Sequence, residues 1–264
     1  GGYQAASGFK NLYKLRGGSG ARFVDLLDAV STAAPQVRIR FTSPHPKDFP
    51  RQVLELIAER PNICNQLHMP AQSGSSAVLE RMRRGYTREV YLRLIEEARG
   101  LIPGLAISTD MISGFCGETD EEHRETVSLM EEVGFDQAFM FTYSERTKTH
   151  ASHTMPDDVP HDVKMRRLQD VIDAFRAQKV LKADVLQGTE QVVLVEGPSK
   201  RSTAEKPQMG GRIDSGKMSV WAPTEVRGMD GGMVMPKAGD FVKVRVTNAG
   251  PVTLGVEPLE ITTI

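Results

Sequence analysis

The chain has 264 residues, 39% of them hydrophobic and 25% charged, with a formal net charge of -1. That composition describes an ordinary globular protein with core enough for one large and one small domain, and it offers no bulk electrostatic argument for nucleic acid. No apolar run approaches the ~20 residues of a membrane helix. The two cysteines, Cys64 and Cys116, are too few for a disulfide framework or a three-thiolate metal site, so a reducing, intracellular compartment fits. The chain opens on Gly1-Gly2 with no readable targeting pattern.

Residues 1–22 are Gly-rich and polar and read as a flexible N-terminal segment. Phe23, Leu26, Leu27 and Val30 share a helical face. Val37-Arg-Ile-Arg-Phe-Thr42 then alternates as a strand, and Val53, Leu54, Ile57 and Ala58 form the next helix stripe. Asn65-Gln-Leu-His-Met69 predicts a short strand, followed by helices from about Ala77 to Arg83 and under Val90, Leu94, Ile95, Ala98 and Leu101. A β-branched run over 105–112 predicts a buried strand that ends in Gly114-Phe-Cys-Gly117. Thr119 and Glu122 then form a capping box for a helix bearing Val127, Met130 and Val133. A strand over Gln137–Tyr143, a polar loop over 144–158 and a long helix after Pro160 complete this part.

Strands alternating with helices of 10–15 residues predict βαβ units, hence an α/β domain over 23–187 with parallel strands and its chemistry at their carboxyl ends. From Gly188 the pattern changes. Gln191–Val195 and Phe241–Val246 are strand-like, with Gly and Pro between them, so 188–264 predicts a small all-β barrel.

Three strand ends are candidate sites. His45, between two prolines, suits a site wall but reads more simply as part of a turn. In Leu67-His-Met-Pro-Ala-Gln-Ser-Gly-Ser75, Gln72 offers both donor and acceptor to ribose hydroxyls or an adenine edge, whereas His68 reads as a satisfied, half-buried histidine. Asp110 lies mid-run in the apolar strand, where a carboxylate is costly unless paired or ligand-bound, and Ser108 alternates to the same side. Arg84 is a candidate partner for Asp110 or for a ligand carboxylate. Arg81, Arg83, Arg84 and Arg88, with Tyr86, make a basic stretch on the expected functional rim, and Arg146 and Lys148 follow the last strand. In the C-terminal part, Lys200, Arg201, Lys206 and Arg212 face only Glu205 across 197–212, a local net of +3 (four minus one) that suits nucleic-acid phosphates. Trp221 is a possible stacking residue, though a lone tryptophan is more often core.

Five of these segments stand together in order: Arg40-Phe-Thr-Ser-Pro-His-Pro46, His68-Met-Pro-Ala-Gln-Ser-Gly-Ser75, Met82-Arg-Arg-Gly-Tyr-Thr87, Ser108-Thr-Asp-Met-Ile-Ser-Gly-Phe-Cys-Gly-Glu-Thr119 and Tyr143-Ser-Glu-Arg146. Together they resemble the radical S-adenosylmethionine core of the MiaB-type tRNA methylthiotransferases. Details over 42–50 and 143–149 look most like the eukaryotic, mitochondrial branch related to the Cdk5 regulatory-subunit-associated protein. Leu194-Val-Glu-Gly-Pro-Ser-Lys-Arg-Ser202 resembles the opening of that family's RNA-binding TRAM barrel.

The resemblance implies a partial radical S-adenosylmethionine (β/α) barrel followed by an OB-like TRAM domain. It implies that Gln72 and Asp110 hold the ribose or adenosyl part of S-adenosylmethionine and Arg84 its methionyl carboxylate, while Gly114 and Gly117 admit the adenine; Ser108 joins them as a cofactor-binding residue. Arg146, Lys200, Arg201 and Arg212 would meet tRNA; no membrane partner is implied. The implied reaction is 2-methylthiolation of N6-isopentenyladenosine beside the anticodon. Family members carry two [4Fe–4S] clusters on cysteine triads that have no counterpart in this sequence, and the barrel's first two strands also lack one. No catalytic residue or metal ligand is therefore assigned here. The chain by itself is expected to be inactive, and poorly soluble through its unpaired sheet edge. The alternatives are a non-catalytic tRNA- or protein-binding fragment, or a methylthiotransferase acting on threonylcarbamoyl-adenosine or on a ribosomal protein.

Overall fold

The computed structural model describes residues 22–42 and 49–264. The expected N-terminal flexible segment, save Arg22, and the turn around His45 lie outside the described residues. In chain order the elements are α1 (Phe23–Ala33), α2 (Arg51–Glu59), β1 (Gln66–His68), α3 (Ser76–Arg81), α4 (Arg88–Leu101), β2 (Ala106–Ser113), α5 (Asp120–Val133), β3 (Gln137–Thr142), α6 (His150–Thr154) and α7 (His161–Asp184). Seven strands follow: β4 (Glu190–Pro198), β5 (Met209–Arg212), β6 (Met218–Trp221), β7 (Val226–Arg227), β8 (Met233–Val234), β9 (Phe241–Ala249) and β10 (Thr253–Thr262). No described helix is long and apolar enough to cross a membrane.

The chain forms two compact units. Of the described residues, one gathers 22–28, 41–42, 49–59 and Leu67–Gln178; the other gathers Ala29–Arg40, Arg60–Gln66 and Lys179–Ile264. In the first, the sheet order is β1-β2-β3, and β2 and β3 run parallel from Ser108↔Gln137 to Ser113↔Thr142. Side-chain alternation along β2 explains its mixed composition. Ile107, Thr109 and Met111 are fully buried on one face, whereas Asp110 and Ile112 on the other are only half-buried. Buried stripes on α4 (Val90, Tyr91, Leu94, Ile95, Ala98) and α5 (Leu129, Met130, Val133) supply apolar cover. Tyr91 ties its helix to the β1 end by donating to the Met69 carbonyl at 2.7 Å. The capping box read at Thr119 and Glu122 is present, and Gly134 ends α5 with φ +57°. Among the described residues β3 pairs on one side only, and it leaves Phe139 and Phe141 exposed.

Gly74 marks a close approach of two backbones. Its N–H donates to Thr126 Oγ1 at 3.0 Å, and a Cβ there would meet the Glu125 carbonyl oxygen and lie 2.6 Å from Thr126 Cα. Backbone cannot rotate away as a side chain can. We expect Gly74→Ala to lower stability by about 1–3 kcal/mol in urea denaturation, the usual cost of overpacking; an unchanged midpoint would refute the close approach.

The second unit is built on a closed barrel. β6, β5, β4, β9 and β10 lie in that order, and parallel pairing of β10 with β6 (Leu254↔Ser219) closes the ring. β9 shows why the sequence folds so: Val242, Val244 and Val246 enter the core, while Lys243 and Arg245 point out and meet Glu190 at 2.8 and 3.1 Å. Such exposed pairs are worth ~0–1 kcal/mol; the valines hold the barrel. Trp221 is buried in this core, so it is packing rather than a stacking surface.

The strand expected over 37–42 shrinks to one parallel bridge, Ile39↔Ile63. The arginines of that alternation explain the difference. Arg38 donates to the Arg212 and Val192 carbonyls at 2.6 and 2.7 Å and lies 5.3 Å from the Phe241 ring, and Arg40 donates to the Ile213 carbonyl at 2.9 Å. The segment is held by side chains gripping barrel backbone, not by a ladder.

Candidate functional site

Where the strands of the first unit end, a cavity of about 660 Å³ opens, within the usual ~300–1,000 Å³ of ligand pockets. Gln72, Arg84 and Asp110, singled out separately along the chain, all line it. Gln72 is fixed by backbone: its N–H donates to the Asp110 carbonyl and its carbonyl accepts from Ile112, both at 2.9 Å, beside Met111 on β2. Its φ of +70° is left-handed, a conformation that costs a non-glycine residue ~1–2 kcal/mol. Arg83 has φ +58° and lines the same cavity. The Arg83 conformation belongs to the turn that ends α3, where its N–H donates to the Glu80 carbonyl at 2.9 Å.

Arg84 follows α3 through its N–H to the Leu79 carbonyl at 2.9 Å. Its guanidinium meets no carboxylate within ion-pair distance among the described residues. Asp110 is therefore not its partner; beside that carboxylate stands His68, whose Nε2 lies 3.5 Å from Oδ1. The rest of the basic stretch separates cleanly. Arg81 is bidentate to Glu122 at 2.8 and 2.7 Å, Arg88 pairs with Glu132 at 2.8 Å, and the buried Tyr86 hydroxyl, pushed up to about 12 by burial, donates to the Pro70 and Ala71 carbonyls. Arg83 and Arg84 remain for the cavity.

The far wall comes from β3 and the segment after it. Phe141, Tyr143, Arg146 and His150 line it, and burial, with Cys116 beside it, pushes the Tyr143 hydroxyl up to about 12, so that it is neutral at pH 7. The polar loop expected over 144–158 contains α6, capped by Thr149, whose Oγ1 accepts from the Ser152 N–H at 3.3 Å. The Thr149-x-x-Ser152 spacing was the available sequence signal for it.

Three expected ligand contacts lie elsewhere. Ser108 shares the strand face of Asp110 but is buried one step deeper, bonded to His68 Nδ1 at 2.9 Å and to the Leu67 carbonyl at 3.4 Å. Gly114 (φ +76°) lies where a Cβ would strike the Lys164 side chain, and its N–H donates to Glu118 at 2.8 Å. The Gly117 N–H donates to Asp158 at 2.7 Å. Neither glycine lines the cavity; both serve the turn into α5. Of the basic residues in the second unit, Lys200 and Arg201 are exposed in a turn braced by Ser199 and Gln208 (2.6 Å), whereas Arg212 is engaged by Glu196 at 2.9 Å.

The Radical SAM superfamily model matches residues 14–130. The mouse mitochondrial tRNA methylthiotransferase CDK5RAP1 is 51% identical over 251 residues, covering 94% of this chain and 42% of that protein. The chain is similar over nearly its whole length to proteins named as tRNA methylthiotransferases. A rice CDK5RAP1-like protein is 49% identical over 256 residues (96% of this chain, 42% of that protein). The Chlorobium limicola tRNA-2-methylthio-N(6)-dimethylallyladenosine synthase is 48% identical over 239 residues (89% and 50%). The chain thus spans about half the length of the curated relatives it matches. Among solved structures, Escherichia coli coproporphyrinogen III oxidase, a radical SAM enzyme, aligns with a TM-score of 0.44 at 18% identity over 77% of this chain and 45% of that one.

The radical SAM match implies S-adenosylmethionine and an iron–sulfur cluster. The cavity residues fit the former: a guanidinium with no ion-pair partner among the described residues, a half-buried carboxylate and a side-chain amide answer its carboxylate, hydroxyls and base. The cysteines do not fit the latter. Cys64 and Cys116 are both buried, and burial pushes the Cys64 thiol up to about 11. Among the described residues no three His, Cys, Asp or Glu side chains gather to hold a metal ion.

Proposed function

We propose that this chain is the S-adenosylmethionine-holding and RNA-gripping part of a mitochondrial tRNA methylthiotransferase that adds a 2-methylthio group to N6-isopentenyladenosine beside the anticodon. The supporting observation is that Gln72, Arg84 and Asp110, drawn from three different segments, line one cavity at the strand ends. When bound, S-adenosylmethionine supplies the methyl group and the radical chemistry. Arg84 takes its carboxylate bidentately, Asp110 accepts from the ribose hydroxyls, and the Gln72 amide reads the adenosyl part. Arg146, on the same cavity, draws the tRNA backbone toward it, and Lys200, Arg201 and Arg212 bind phosphates. The names of the mouse and Chlorobium relatives support the substrate, and that of the mouse relative supports the compartment.

Mass spectrometry of tRNA from a null strain tests the substrate: the 2-methylthio group should disappear from isopentenyladenosine, and unchanged content would refute the assignment. For the barrel, Lys200→Ala/Arg201→Ala should weaken tRNA binding and flatten the dependence of log K on log salt by about one for each phosphate no longer neutralised. An unchanged salt slope would remove these two residues from the RNA surface.

A further inference from the structure

Among the described residues the cavity is lined by one carboxylate, that of Asp110, and beside it stands a histidine that reads in the sequence as a satisfied, half-buried side chain. His68, on β1, has its Nδ1 2.9 Å from Ser108 Oγ and its Nε2 3.5 Å from Asp110 Oδ1. The edge-to-face contact with Phe139, centroids 6.0 Å apart, holds the ring from β3. One imidazole thus joins all three strands of the sheet. Ser108 is buried and also reaches the Leu67 carbonyl, so the anchoring end of this chain of bonds is rigid. The Ser108 hydroxyl has one hydrogen and lies within reach of both Nδ1 and the Leu67 carbonyl. When it donates to Nδ1, the neutral ring carries its proton on Nε2, and in the imidazolium Nε2 is protonated as well; in both of these forms an N–H stands 3.5 Å from Asp110 Oδ1.

We propose that His68 is the positioning residue of this pocket, holding one oxygen of Asp110 so that the carboxylate is presented to the ribose hydroxyls of S-adenosylmethionine. The inference rests on the reading of the cavity as the adenosyl pocket. A carboxylate on a free χ2 samples orientations that a ligand must arrest, and a fixed neighbour removes that cost before binding.

Asn and Gln separate the two nitrogens of the ring. The amide of Asn stands near the place of Nδ1 and keeps the Ser108 bond alone, whereas that of Gln reaches the place of Nε2 and keeps a donor on Asp110. Titration calorimetry of the full chain with S-adenosylmethionine should show about tenfold weaker binding for His68→Asn and binding within about threefold of wild type for His68→Gln, with both melting as wild type does. Rescue by Gln and not by Asn is an outcome a merely structural histidine would not give. The inference is overturned if both variants bind as wild type does, or if both lose affinity equally while melting normally. Failure of the pocket reading itself has a different signature: no saturable binding by wild type, or binding by Asp110→Asn and Gln72→Ala indistinguishable from it. If Asp110→Asn loses affinity and both His68 variants do not, only the positioning role falls.

Discussion

Arg84→Ala is expected to weaken S-adenosylmethionine binding by about 10- to 100-fold without lowering the melting temperature. A charge-assisted hydrogen bond to a carboxylate contributes roughly 1.5–3 kcal/mol, and each ~1.4 kcal/mol is tenfold in affinity. Stability should not change, because the guanidinium has no ion-pair partner among the described residues to lose. Arg84→Lys should restore little, since an ammonium cannot make the two parallel bonds of the guanidinium fork. Decarboxylated S-adenosylmethionine provides the control, and wild type and Arg84→Ala should bind it with similar affinity. Calorimetry with both ligands checks the assignment; equal losses for the two would mean that Arg84 shapes the pocket and does not meet the carboxylate.

Arg167→Ala should produce the largest loss of stability, about 3–5 kcal/mol, or roughly 10 °C in melting temperature. Arg167 on α7 is almost wholly buried and bonds the fully buried Glu118 carboxylate at 3.0 Å, the Glu118 carbonyl at 2.8 Å and Asp120 at 2.8 Å. Burial pushes the Glu118 carboxyl above the usual range, opposed by the Gly114 N–H and by Arg167 itself. Removing the guanidinium therefore leaves a carboxylate dehydrated and unmatched, which costs more than the intact pair contributes. Replacing both charges, as in Glu118→Leu/Arg167→Met, should recover much of the loss. Thermal melts of the two variants decide it: a double variant no more stable than Arg167→Ala would show that the geometry of the turn, and not the stranded charge, carries the effect.

These two arginines show how differently parts of the molecule can be read before folding. Arg84 was legible because its motif states its position relative to Gln72 and Asp110. Arg167 reads as an exposed helix position, since nothing local marks it for burial. What buries it is the turn Gly114–Gly117, far away in sequence, which delivers the Glu118 carbonyl and carboxylate to the same guanidinium. The same turn misleads about its glycines. Left-handed backbone and a close approach look alike in sequence whether the neighbour is a ligand or, as for Gly114, the side chain of Lys164.

By itself the amino-acid sequence determined the alternation of strands and helices from α2 to β3, the long helix α7, the capping box of α5, the change to β structure near Gly188 and the identity of three cavity residues. All of these rest on patterns within a few residues: side-chain period, caps and glycine turns. Only the tertiary structure decided that Arg38 and Arg40 grip barrel backbone instead of joining a strand, that Trp221 is core, that α6 closes the cavity wall and that His68 stands between Ser108 and Asp110. Each of those depends on which distant segment arrives opposite a side chain, and the energy of a hydrogen bond or a buried contact carries no trace in the local sequence of the group that will receive it.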